Sequence, residues 1–307
     1  MQNLLLLQAM NGLQFGILLF LVAAGLTLVF GIMDFINLAH GVLYMVGAYL
    51  MATFSVMTGS FWLGLLLTLP AVLVVGLVLE LLVFRKLYGR PHLEQVLATF
   101  ALVMIITELV KIIWGAAPLS VAMPDILSGS IPLIGPMRFP VYRLMIIAVG
   151  LVLALALWFI ITRTRTGMLL RAGASNRAMT SALGIDIAKL FMIVFAVGAM
   201  LAGFAGAIVS PILSVDTGMG DSILILAFVV IVIGGVGSIR GAFIAALLVG
   251  LIDTLGRTFG PIILKTIMNP DAATQLGRTL APMLVYILMA AILCWRPAGL
   301  FGGSTAK

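Results

Sequence analysis

Positive charge is missing from the first 84 residues of this 307-residue chain, in which no lysine or arginine precedes Arg85. Charged residues make up only 9% of the whole, hydrophobic residues 63%, and the mean hydropathy is +1.29. Those values exclude an ordinary water-soluble globular domain. A single cysteine, Cys294, excludes an internal disulfide and a thiolate metal cluster, and its place in an apolar run suits a small core residue. The two histidines, His40 and His92, lack the cysteine pair that would complete a zinc set, so no metal site is expected. HExxH, GxSxG and GxxxxGK[ST] are all absent. No catalytic residues are therefore assigned, and any energy from nucleotide hydrolysis must enter through another chain. The amino-terminus lacks a basic n-region and its apolar run outlasts an h-region, so the first helix is expected to stay in the mature protein.

What fills the chain is hydrocarbon. Apolar runs long enough to cross a bilayer occupy about 9–31, 39–58, 61–83, 94–113, 142–161, 190–212 and 279–295. Residues 222–255 are too long for one span, and Gly234-Gly235-Val236-Gly237-Ser238-Ile239-Arg240-Gly241 divides them into either two short spans or a re-entrant hairpin. The expected fold is an all-α integral membrane protein, a polytopic bundle of about eight or nine transmembrane helices with one glycine-rich broken or re-entrant segment.

The net charge of +7 sits in short loops between these runs, which favours positive-inside topology over nucleic-acid binding. Segments 84–93 and 162–189 carry eight basic residues and alternate onto one side, read as cytoplasmic. The loop 114–141, with five prolines from Pro118 to Pro140, reads as external, as does 256–278. Counting from these places the amino-terminus outside and the carboxyl-terminus in the cytoplasm.

Three segments stand out as working parts. In the loop 163–189, Ala174, Ala178, Ser181 and Ala182 recur at helical spacing and Gly184 can end that helix, giving a flat small-residue face that suits either a docking protein or an anionic lipid surface. The glycine-rich loop 234–241, with Gly234, Gly235, Gly237 and Ser238, resembles the broken helices that line transport pathways. The knot Asp34-Phe35-Ile36-Asn37-Leu38-Ala39-His40-Gly41 interrupts the apolar start, and Asn37 with His40 could cap the second helix, line a pathway, or do both. At this cytoplasmic turn the knot can be partly hydrated.

Gln8, Asn11 and Gln14 repeat at intervals of three along the first helix, and Asn11 and Gln14 are pathway candidates. Gly12 and Gly16, and Gly198, Gly203 and Gly206, are explained by close helix packing. Glu108 and Lys111 should pair, as should Glu80 with Arg85 or Lys86.

Taken in order, several motifs give the chain a resemblance over nearly its full length. They are Gly25-Leu26-Thr27-Leu28-Val29-Phe30-Gly31 with Asn37-Leu38-Ala39-His40-Gly41, Arg171-Ala172 with Asn176, Leu183-Gly184-Ile185-Asp186, the glycines from Gly198 to Gly206, Gly234-Gly235-Val236-Gly237-Ser238, and Arg296-Pro297-Ala298-Gly299-Leu300-Phe301-Gly302. The chain resembles the membrane permease subunit of branched-chain amino acid ABC importers, the LivH-like family.

The resemblance implies one transmembrane permease domain over 1–307, in the bacterial inner membrane. It implies pairing with a second, homologous permease, two cytoplasmic ATP-binding subunits that use ATP and Mg, and an external substrate-binding protein, with no cofactor on this chain. By the same resemblance the loop 163–189 supplies the coupling helix, with Arg171, Ser175, Asn176, Ala178, Ala182, Gly184 and Asp186 facing the ATPase. Related permeases for urea or short amides are the nearest alternative. An ion-coupled secondary transporter would need an intramembrane carboxylate, and Glu108 is compromised by Lys111.

Overall fold

Backbone amides cannot be left unpaired in hydrocarbon, so each apolar run closes its hydrogen bonds within itself as a helix. The structure, a computed structural model, describes residues 2–132 and 138–302 and, within them, the side chains of all but Gln2, Arg177, Ala178 and Arg278. Pro136 of the expected external loop lies outside the described residues.

In chain order the elements are α1 (Gln2–Met33), α2 (His40–Thr58), α3 (Phe61–Leu87), α4 (His92–Trp114), a two-stranded hairpin of β1 (Ser130–Pro132) and β2 (Arg138–Pro140), and α5 (Val141–Arg163). They continue with α6 (Arg165–Ser175), α7 (Arg177–Ala182), α8 (Ile187–Val209), α9 (Met219–Gly234), α10 (Ile239–Leu264) and α11 (Pro270–Trp295). Among the described residues, seven helices are long and apolar enough to cross a membrane, and α11, whose two parts bend by 41°, makes an eighth when counted as one span. The 16-residue α9 is apolar but shorter than a full span. The chain is thus a multi-pass, all-helical membrane protein with a broken segment.

Several boundaries differ from expectation. Residues 222–255 fall in two helices broken at 235–238, the second of which, α10, runs on to Leu264. The expected loop 256–278 therefore shrinks to 265–269, and Arg257 lies within α10, its Nε 2.8 Å from Asp253 Oδ2. Likewise α3 extends through a π-helical turn at Glu80–Phe84. The hairpin was not foreseen, its strands being three residues each. Cys294 is exposed on α11 rather than in the core.

The chain divides into two units. One comprises Met1–Phe20, Asp125–Leu153 and Ala227–Lys307; the other comprises Leu21–Pro124 and Ala154–Leu226. In the first, Ile17, Phe139 and Ile147 form a core joined by Leu247, and Phe20 meets Phe243 edge-on with centroids 5.1 Å apart. Gly12 and Gly16 let α1 lie against α10: a Cβ on Gly12 would sit 2.9 Å from Leu251 Cα, and one on Gly16 2.9 Å from Leu247 Cα.

In the second unit α2, α3 and α8 pack on one another, again through glycine. Gly47 abuts the backbone of Gly203, Gly206 abuts the carbonyl of Tyr44, and a Cβ on Gly25 would lie 2.7 Å from the Gly198 oxygen. Both glycine groups thus serve close helix approach, as their spacing suggested.

Candidate functional site

The loop between α5 and α8 is built as two short helices, not one. Thr164 caps α6 by accepting from Gly167 N at 3.2 Å, and Arg171 donates back to the Ile161 carbonyl. At Asn176 the backbone turns extended, and the side-chain oxygen accepts from Met179 N at 2.9 Å to start α7. This break separates Ala174 and Ser175 from Ser181 and Ala182, so the continuous small-residue face is not formed. The side chains of Arg177 and Ala178 lie outside the described residues.

Gly184 adopts φ +84, the left-handed geometry that lets Gly184 N reach Ser181 O at 2.9 Å. Asp186 then caps α8, accepting from Lys189 N at 3.1 Å. That main-chain hydrogen bond holds the exposed carboxyl below its ordinary range. Inward, Leu170 and Thr180 are buried, while Met179 and Leu183 are 60% and 74% exposed, one helical turn apart on α7 and its C-cap. Sequence reading missed this apolar pair because small residues drew the attention.

The knot is organised by α4. Gln95 Oε1 accepts from Ile36 N and Thr99 Oγ1 from Leu38 N, both at 3.3 Å, while Gln95 Nε2 donates to the carbonyls of Leu87 and Arg90. Gln95 and Thr99 are buried and four residues apart, a polar i,i+4 pair that could have flagged them. Asn37 is not the cap of α2: that helix starts at His40, with Ala39 before it and no side-chain cap bond.

Asn37 and His40 are both fully buried, whereas Asp34 is exposed with its Oδ2 3.8 Å from His92 Nε2, so the knot is open at its first residue and enclosed further along. The His40 Nε2–H donates to the Val22 carbonyl at 3.1 Å. Both polar atoms of Asn37, Nδ1 of His40 and the hydroxyl of Thr27 are buried with no hydrogen-bond partner among the described residues. Orphaned groups of this kind cost about 1–3 kcal/mol each unless water or a polar solute meets them.

An aromatic cluster connects the two regions. Phe191 and Phe195 near the start of α8 contact Tyr88 and Phe84, with centroids 5.4 and 4.6 Å apart, and both of those reach Phe35 of the knot at 5.6 Å. The Tyr88 hydroxyl donates to Glu80 Oε1 at 3.2 Å, and Arg85 Nε lies 3.7 Å from the same oxygen. Burial first, then the Glu80 carboxylate, pushes the Tyr88 hydroxyl above its ordinary pKa.

The glycine loop is occupied with packing. Gly235 and Gly237 take φ +94 and +78, Ser238 caps α10 by accepting from Gly241 N at 3.0 Å, and Gly234 abuts Gly241. Against it lies the carboxyl-terminal turn: Leu300 N donates to Ile233 O at 2.8 Å and Phe301 N to Gly234 O at 3.0 Å. Asn11 donates to Gln8 Oε1 at 3.1 Å and accepts from Arg143, while Gln14 is buried. The predicted residues thus form local groups, and Asn11 and Gln14 fall in a different unit from Asn37 and His40.

Helices of bilayer length around enclosed polar groups define a multi-pass membrane protein in class. A family model described as "Branched-chain amino acid transport system / permease component" matches residues 8–293, and the chain belongs to that family. It is 28% identical over 309 residues to the high-affinity branched-chain amino acid transport system permease protein BraD of Pseudomonas aeruginosa, covering 96% of this chain and 95% of that one. It is 28% identical over 268 residues to LivH of Escherichia coli K12, covering 82% and 86% respectively. The ribose import permease protein RbsC of Haemophilus influenzae is 27% identical over 232 residues, covering 72% and 70%. No solved structure matches the chain.

Proposed function

We propose that the chain is the non-catalytic, membrane-spanning subunit of a binding-protein-dependent ABC importer that moves branched-chain or other hydrophobic amino acids inward. Its full-length similarity to BraD and LivH supports this substrate class over urea, short amides or sugars. Ion-coupled transport finds little support, since Glu108 is exposed and bound to Lys111 Nζ at 2.7 Å. The domain is the whole of 1–307, in a bacterial inner membrane, with the amino-terminus outside and the carboxyl-terminus cytoplasmic.

One observation carries the coupling role: Met179 and Leu183 stand exposed on the loop between two spans. An apolar pair in a water-facing loop calls for a protein surface, and a cytoplasmic ATPase pair supplies one. Arg171, Ser175, Asn176, Ala178, Ala182, Gly184 and Asp186 shape or flank that contact, with Asn176, Gly184 and Asp186 fixing the turns that present it. ATP and Mg belong to those partners, and an external binding protein delivers substrate.

Asn37 and His40 line the translocation path with Thr27, their unmet hydrogen-bonding groups receiving water or substrate as a second, homologous permease and this one switch facing. Asn11, Gln14 and the loop of Gly234, Gly235, Gly237 and Ser238 are assigned to the path or its support. Co-purification tests the docking: the wild-type chain should retain a co-expressed ATPase subunit of a branched-chain amino acid importer and a Met179→Ser/Leu183→Asp variant should not. Equal retention would sink the coupling role.

A further inference from the structure

One unit holds a second polar cluster that the coupling loop and the knot do not use. Arg143, in the first turn of α5, donates to Asn11 Oδ1, and Asn11 Nδ2 donates to Gln8 Oε1 at 3.1 Å. No carboxylate lies within ion-pair distance of Arg143 among the described residues. On α10, Asp253 is 5% exposed; its Oδ2 meets Arg257, and its Oδ1 is buried with no partner among the described residues.

Helix geometry puts the two groups on the same side of the α1–α10 approach. Gly12 of α1 rests on Gly250 and Leu251 of α10, and Gly16 on Ala246 and Leu247, so the two helices run antiparallel. Gln8 lies one turn before Gly12 on the same stripe, and Asp253 lies one turn beyond Gly250 on its stripe. Both therefore lie on the same side of the closest approach, facing one another's helix. Together the two groups carry two guanidiniums and one carboxylate, leaving Arg143 without a carboxylate partner among the described residues and one Asp253 oxygen unused. Ionised groups inside membrane spans are costly and usually serve a pathway.

We propose that Arg143 and Asp253 form a recognition site for the zwitterionic backbone of an α-amino acid. Arg143 takes the substrate carboxylate through a two-pronged hydrogen bond, and the free Asp253 oxygen takes the ammonium. Asn11 and Gln8 are positioning residues that hold the guanidinium, and Arg257 fixes the Asp253 carboxylate. This site rests on the amino acid importer reading and gives it a chemical basis within the permease itself.

The test uses the complete complex of permeases, ATPases and binding protein in proteoliposomes. Arg143→Gln and Asp253→Asn should each lower leucine uptake about tenfold or more, the loss expected for one charged hydrogen bond, with assembly as in the wild type. Arg143→Lys should recover part of it. In detergent, with the binding protein left out, millimolar leucine should raise the melting temperature of the wild-type permease–ATPase complex by a few degrees, while leucinamide and 4-methylpentanoate, each lacking one charge, should not. Both substitutions should abolish the leucine shift. Unchanged uptake in the two variants, or an equal shift with all three compounds, would overturn the site and leave the importer reading intact. A wild-type complex that takes up no amino acid would overturn both.

Discussion

His40, the first residue of α2, donates through Nε2 to the main-chain oxygen of Val22, 3.1 Å away and well inside α1. A Cβ placed on Gly25, one turn further along, would come within 2.9 Å of the same imidazole ring. The polar knot is therefore enclosed at its His40 end, where a histidine enters the space that a glycine leaves open. Thr27 and Asn37 share that enclosed, unsatisfied character.

Gly25→Val should destabilise the permease by about 1–3 kcal/mol, since the new side chain meets backbone at Gly198 as well as the His40 ring. Thermal unfolding in detergent measures this. His40→Ala should lower stability less, by about 1 kcal/mol for the lost hydrogen bond plus a small cavity term, yet lower uptake strongly. Equal, parallel losses in stability and uptake would assign His40 to packing alone.

Tyr88→Phe removes the hydroxyl that bonds the buried Glu80 carboxylate and should cost about 1.5–3 kcal/mol. Because the folded pKa of Tyr88 is raised, the bond's contribution is fully present below the ordinary tyrosine value of about 10 and is lost only as pH rises through the higher folded value. The difference in melting temperature between wild type and variant should therefore be flat from neutral pH to about 9, and a narrowing in that range would contradict it.

Asn176→Ala deletes the cap of α7 and should cost that helix about 1 kcal/mol. Amide exchange in residues 177–182 should accelerate while the spans stay protected. Gly184→Val adds a strained left-handed residue at about 1–2 kcal/mol and should have a similar local effect.

Gly235→Val combines a positive φ with a side chain pointed at the carboxyl-terminal turn, where its Cβ would lie 2.7 Å from Gly302 Cα. It should displace Arg296 to Gly302 from the end of α9 and lower the melting temperature by several degrees. In a Cys294→Ser background, Phe301→Cys would report the change as faster thiol labelling; an unchanged rate would show that the turn is held elsewhere.

The spans were readable because a bilayer forces long apolar runs into helices, and the packing glycines because their intervals match a helix face. The ends were less so. Arg257 was read into a loop because its charge was counted without its partner, although Asp253 stands one turn away on the same helix. The loop 163–189 is helical as its spacing suggested, but that spacing implied one helix where the Asn176 side chain starts a second.

Long-range pairing was hidden altogether. Gln95 and Thr99 hold a backbone about sixty residues away, and Arg143 meets an asparagine 132 positions earlier. Each is a polar residue near the edge of an apolar run, ordinary in sequence and meaningful only once the helices are packed. Family motifs pointed to the knot and the coupling loop, but neither the aromatic cluster from Phe35 to Phe195 nor the Arg143–Asp253 set lies wholly within them.

The most direct measurement is ATP-driven accumulation of labelled leucine by the reconstituted complex, with the intact chain and with Ser175 to Gly184 replaced by a flexible linker. The account predicts leucine accumulation with the intact chain and none with the replacement, although the spans still assemble with the second permease. Normal accumulation after the replacement, or accumulation of urea but not leucine by the intact complex, would contradict it.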